Sequence, residues 1–259
     1  MVTRPEDQAQ ELVDLLLILG AQPVEAPTIR IVPPKDGTPL EECCELANTF
    51  DWIVFTSVNG VDSFMRNLCH RSRDVKKLKG VRLCAVGPAT AARLTKHGLQ
   101  VDLVPQEHRA EAIVVEMRKC DTLSGRRILL PRADLAREVL PKELRSSGAE
   151  VVEVVAYRTV LAGFDNKKGP DIYRMLLEQQ IDVVTFTSAS TVRNFVEILG
   201  AEPAADLLNT TAVAAIGPVT SEAARKLNIR TSIMPTTYTV PALVDAIVSY
   251  FASRQTAIG

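Results

Sequence analysis

An α/β fold with parallel sheets covered on both faces is predicted by three features of the sequence. Strand-length apolar runs recur along it, each is followed by an amphipathic stretch, and the whole pattern returns in a second half of the chain. The runs occupy residues 52–55, 82–86, 101–104, 128–130, 183–186 and 212–216. A strand buried on both faces needs continuous rather than alternating hydrophobicity, and parallel neighbours need a helical crossover between them.

Along the chain, a first helix is expected over residues 6–20, where Leu12, Leu15, Leu16 and Leu19 form an apolar face. Residues 30–39 are rich in proline and turn formers and read as a connector, yet they carry the β-branched pair Ile31-Val32, which favours extended chain. Strands at 52–55, 82–86 and 101–104 lead to a helix at 110–119 and a strand at 128–130. Asp134-Leu-Ala-Arg-Glu138 opens a helical segment stopped by Gly148, with Leu135, Val139, Leu140 and Leu144 as apolar positions and Pro141 dividing it into two short helices. A second connector is expected at 157–170, again with a β-branched pair, Thr159-Val160. Strands at 183–186 and 212–216 and a helix at 240–250 complete the series.

Four blocks recur in the same order. Thr3-Arg4 through Gly20-Ala21 to Val24-Glu25 matches Pro131-Arg132 through Gly148-Ala149 to Val152-Glu153 at an offset of 128, which also sets Arg30 opposite Arg158. Asp51-Trp-Ile-Val-Phe-Thr-Ser57 matches Asp182-Val-Val-Thr-Phe-Thr-Ser188, and Gly87-Pro-Ala-Thr90 matches Gly217-Pro-Val-Thr220, at offsets of 131 and 130. Val104-Pro105 matches Met234-Pro235, each ahead of a helix. Near-constant offsets predict an internal duplication and two similar domains of about half the chain each.

Composition narrows the function. A net charge of -1 gives no global field for nucleic acid or an acidic membrane surface, so an anionic ligand must be held locally. The five cysteines lack a C-x-x-C pair, which argues against a disulfide framework and for thiols in a reducing cytoplasm. No apolar run approaches the ~20 residues of a membrane span, and no export signal is visible at the start. His70, His97 and His108 have no metal-ligand spacing, and Gly87 and Gly217 stand alone rather than in a nucleotide-binding fingerprint. Asp51 and Asp182 precede their strands and read as turn residues away from any site.

Ligands of parallel α/β sheets bind beyond the carboxyl ends of the strands. Ser57 and Ser188 fall there, as helix N-caps or as hydroxyls for a ligand. Gly-Pro-x-Thr puts proline in a first helical turn, where its missing N–H costs nothing, and leaves amides with Thr90 and Thr220 beside them for helix initiation or for an anion. Arg4 and Arg132 read either as solvent-facing charges or as carboxylate contacts. Together these residues predict an interdomain cleft suited to a polyanionic substrate whose chemistry is mainly steered.

Val2-Thr-Arg-Pro5, Asp51-Trp-Ile-Val-Phe-Thr-Ser57, Ala85-Val-Gly-Pro88, Leu130-Pro-Arg132 and Tyr157-Arg-Thr159, in this order over nearly the whole chain, resemble the uroporphyrinogen-III synthase family. Met1-Val2 leaves only a stub of that family's first strand. The resemblance implies two flavodoxin-like (Rossmann-like) domains, residues 1–33 plus 160–259 and residues 36–158, joined by a two-stranded β-ladder. It implies hydroxymethylbilane as substrate: the ring A hydroxyl leaves, ring D attacks at its substituted carbon, and a spiro intermediate closes with ring D inverted. By the same resemblance Tyr157 is the catalytic phenol, Arg4, Ser57, Thr90, Arg132, Ser188 and Thr220 bind substrate, and no cofactor or metal takes part. A cytoplasmic monomer is implied, linked functionally to hydroxymethylbilane synthase or fused to a methyltransferase. The competing expectation is a non-catalytic two-domain ligand-binding or regulatory module of the same fold.

Overall fold

The computed structural model describes residues 1–69, 75–107, 109–164 and 170–255. His70, His108 and the part of the expected second connector at 165–169 lie outside the described residues. The chain divides into two compact units, Met1–Arg30 with Val160–Gly259, and Ile31–Thr159. It opens with α1 (Glu6–Ile18) and β1 (Ile29–Val32).

The unit Ile31–Thr159 holds α2 (Thr38–Glu45), β2 (Trp52–Phe55), α3 (Val58–Cys69), β3 (Arg82–Ala85), α4 (Pro88–Lys96), α5 (Ala110–Cys120), β4 (Arg127–Ala133), α6 (Val139–Ser146) and most of β5 (Glu150–Leu161). Its sheet runs β1-β5-β4-β2-β3, with β2 parallel to both β3 and β4, and β4 parallel to β5. All four residues of β2 are buried. Ile53 and Phe55 join one core with Phe64, Leu68 and Leu94, while Trp52 and Val54 join the opposite core with Met117, Ile128 and Leu144. That two-sided burial is why the strand reads as an unbroken apolar run.

The other unit holds α7 (Ile172–Leu177), β6 (Val183–Phe186), α8 (Ala189–Leu199), α9 (Ala201–Asn209), β7 (Ala212–Ala215), α10 (Pro218–Arg225) and α11 (Val240–Gln255), with β6 and β7 parallel. Val2 bridges in parallel to both Glu25 and Thr185, and the Met1 carbonyl accepts the Thr185 N–H at 3.0 Å, so the short first segment lies between two neighbours.

Several expectations are corrected. The first helix ends at Ile18 and buries Ala9, Leu12, Val13 and Leu16, while Leu19 is its C-cap and is exposed. Residues 134–138 form a turn in which Leu135 is 89% exposed. Pro141 does not divide a helix: it lies in the first turn of α6, where no intrahelical N–H bond is lost, and one helix results. Residues 157–161 are extended, as the β-branched pair Thr159-Val160 suggested, and continue the twelve-residue β5. The run at 101–104 contributes only the bridge Cys84↔Leu103, because the Asp102 carboxylate takes the Leu83 N–H at 2.7 Å. Asp51 is more than a turn residue, since its carboxylate accepts from Arg126 Nη1 and from the Arg127 N–H, both at 2.8 Å, and ties the starts of β2 and β4 together.

No helix among the described residues is long and apolar enough to cross a membrane, and no group of three or more metal-binding side chains occurs among them.

Candidate functional site

In the unit Ile31–Thr159 the carboxyl ends of the parallel strands lead into the turns that carry the polar motifs. β2 ends at Phe55, and Ser57 precedes α3, where its Oγ accepts the Gly60 N–H at 3.1 Å. β5 brings Tyr157 alongside: the phenol oxygen lies 3.0 Å from Ser57 Oγ, and the ring packs into the core with only 9% of the residue exposed. Tyr157 lines a 140 Å³ cavity with Asn59, Asp62, Ser63 and Arg66. These four were not singled out from the sequence, although their spacing of three and four residues marks one face of a helix. Asp62 is held by Arg93 Nη1 at 2.5 Å and faces His97 Nε2 at 3.4 Å, so it enters the cavity already paired.

Beyond the ends of β2, β3 and β4 lies a 460 Å³ cavity lined by Thr56, Val86, Arg109, Ile113, Arg132 and Arg137 among others. Arg109 is the N-cap residue of α5 and pairs with Glu107. Arg132 is not a free cation. It is 8% exposed, pairs with Glu153, and donates from Nη2 to the Arg137 carbonyl at 2.5 Å. Glu153 is bound a second time by Arg145 Nη2 at 2.7 Å.

Gly87 and Gly217 start α4 and α10, and each is followed by proline in the first turn. Gly87 sits at φ 98°, a conformation that a Cβ disfavours. Gly217 is extended at φ −175°, but a Cβ there would lie 3.0 Å from Cδ1 and 3.1 Å from Cγ of Tyr238. Thr90 and Thr220 follow three residues after these glycines and are 4% and 3% exposed. Neither hydroxyl has a hydrogen-bond partner among the described residues, and neither oxygen is fully shut off from solvent.

The second unit presents the matching turns, with Ser188 after β6. Ser188 Oγ accepts the Thr191 N–H at 3.2 Å and meets the hydroxyls of Thr191 and Ser190 at 2.5 and 2.9 Å, so it is engaged as the cap of α8. The position matching Tyr157 at the offset of 128 is Ile29. Arg4 differs from Arg132: it has no ion-pair partner among the described residues, and its Nε is shut off from water without a hydrogen bond. A 530 Å³ depression between α8 and α10 is lined by Arg193, Val219 and Glu222 among others and includes neither Ser188 nor Thr220.

Among the thiols, burial pushes Cys84 up to about 12 and raises Cys43, which makes both poor nucleophiles at neutral pH.

Parallel α/β units with hydroxyl-bearing turns at the strand ends are Rossmann-like, a class of fold whose ligands as a rule bind beyond the carboxyl ends of the strands. A family model described as uroporphyrinogen-III synthase HemD matches residues 10–245. The chain therefore belongs to the uroporphyrinogen-III synthase family. It is 35% identical to a putative uroporphyrinogen-III synthase of Methanothermobacter thermautotrophicus, over 95% of this chain and 96% of the relative. It is 31% identical to the uroporphyrinogen-III synthase of Synechococcus elongatus, over 99% and 96%. A crystal structure of a mutant uroporphyrinogen III synthase from Thermus thermophilus shares the fold at a TM-score of 0.57, with 18% identity over 97% of this chain and 98% of that one.

Proposed function

We propose that the chain closes hydroxymethylbilane to uroporphyrinogen III, with Tyr157 as the acid that releases the ring A hydroxyl. The observation that carries this reading is Tyr157 itself, a phenol in the second half of β5 that meets a serine hydroxyl at 3.0 Å and lines a polar cavity. The phenol proton goes to the hydroxymethyl oxygen as the C–O bond breaks, and water leaves. The ring A nitrogen lone pair supports the resulting cation, ring D attacks at its substituted carbon, and the spiro intermediate reopens and closes with ring D inverted. The proton lost as the ring regains aromaticity returns to the phenolate. No net oxidation occurs, so the route needs neither metal nor organic cofactor.

Because the substrate also closes spontaneously to the wrong isomer, the main task is to hold it bent. In this reading Thr90 and Thr220, with the amides at the starts of α4 and α10, bind carboxylates, and Arg4 supplies a guanidinium for another. The two units derive from a duplication, with β1 and β5 as the ladder joining them. The protein acts as a cytoplasmic monomer that receives its substrate from hydroxymethylbilane synthase.

The test generates hydroxymethylbilane with its synthase, adds this protein, oxidises the products and separates the porphyrin isomers. Isomer III should predominate. Isomer I alone would overturn the assignment and leave a non-catalytic ligand-binding module.

A further inference from the structure

On the reading that Tyr157 gives up its proton, we propose that Ser57 is a positioning residue for the phenol: its hydroxyl donates to the Tyr157 oxygen, turns the phenol proton toward the substrate and holds the charge left behind. Ser57 Oγ offers one proton and two lone pairs. One lone pair takes the Gly60 N–H at 3.1 Å, and the Tyr157 oxygen lies 3.0 Å away. Either hydroxyl can donate while the phenol keeps its proton. Once that proton has joined the leaving hydroxyl as water, the phenolate has none to give, and Ser57 is the only donor of the pair.

The bond therefore strengthens as charge develops, the condition for lowering a barrier rather than tightening substrate binding. The relay begins at the first turn of the twelve-residue α3, where the Gly60 N–H polarises the serine oxygen and the helix dipole favours negative charge. Ser188 has no such role, because its oxygen is engaged by Thr191 and Ser190 and its unit has isoleucine where Tyr157 would stand.

The experiment is a kinetic cycle over Ser57→Ala, Tyr157→Phe and the double variant, with isomer III formation as readout. Ser57→Ala should lower kcat roughly 10- to 100-fold, the size of one charge-assisted hydrogen bond, and should leave KM within about twofold. Ser57→Thr keeps the hydroxyl and should restore most of kcat. In the Tyr157→Phe background, removing the Ser57 hydroxyl should have no further effect. Ser57→Gly, which preserves a competent helix start without a hydroxyl, should repeat the kcat loss if the alanine variant folds poorly.

A Ser57→Ala variant with raised KM and parental kcat, or a loss that adds to that of Tyr157→Phe, would overturn the proposal and place Ser57 on the substrate. Parental kcat in Tyr157→Phe alone would overturn the proton-donor reading first, and this inference with it. That outcome is distinct because it is read without touching Ser57.

Discussion

Replacing Arg132 with methionine should unfold one unit more easily and leave substrate affinity alone. The side chain is 8% exposed, pairs with Glu153 and donates to the Arg137 carbonyl. Removing one member of a buried pair costs ~3–5 kcal/mol. Here Glu153 keeps Arg145 at 2.7 Å and a quarter of its side-chain surface in water, so we expect about 2–3 kcal/mol, with methionine filling most of the volume. For a chain of this size that corresponds to a melting temperature lower by roughly 4–12 °C. The only tryptophan, Trp52, is wholly buried in the same unit. Its fluorescence therefore reports that unit's melting directly. Arg4→Met is the control: with no ion pair to lose, it should change stability by about 0.5 kcal/mol or less and raise KM instead. A variant at Arg132 that melts like the parent and raises KM would refute the assignment of Arg132 to the fold.

Thr90→Ala and Thr220→Ala should each raise KM in the isomer III assay while leaving the melting curve nearly unchanged, since neither hydroxyl has a partner among the described residues; unchanged kinetics in both would remove these helix starts from the binding site. Burial raises the Cys84 thiol from 9.0 to about 12, so the fold favours its protonated form. That contribution is complete below about pH 9 and declines as pH rises toward 12; chemical denaturation at pH 8 and 10.5 should show the decline, and Cys84→Ala should flatten it. Alkylation of the native protein at pH 8 should label the exposed Cys69 and Cys120 and spare Cys84, and labelling of Cys84 at the same rate would contradict its burial.

The strands at 52–55, 183–186 and 212–215 were legible because burial on both faces leaves an uninterrupted apolar run. Residues 134–138 misled because Leu135 fits a helical spacing while nothing lies over it to bury it. Pro141 misled because a proline's meaning depends on how many helical residues precede it. The likeness of Arg4 and Arg132 hid opposite fates: α1 starts two residues after Arg4, whereas a turn separates Arg132 from α6 and offers it the Arg137 carbonyl. The Ser57–Tyr157 contact spans 100 residues of chain, and no local pattern encodes it; only the parallel packing of the sheet brings β5 to the turn after β2.

The glycines that start α4 and α10 occupy matching positions for unlike reasons, and this governs what can repair their loss. At Gly217 the obstacle is a neighbour, the ring of Tyr238, so the damage of Gly217→Ala should be relieved by trimming that ring in Gly217→Ala/Tyr238→Ala. At Gly87 the obstacle is the backbone angle itself, and no second substitution beside it removes the strain. One turn can therefore drift in sequence through paired changes, while the other can change only by abandoning its conformation.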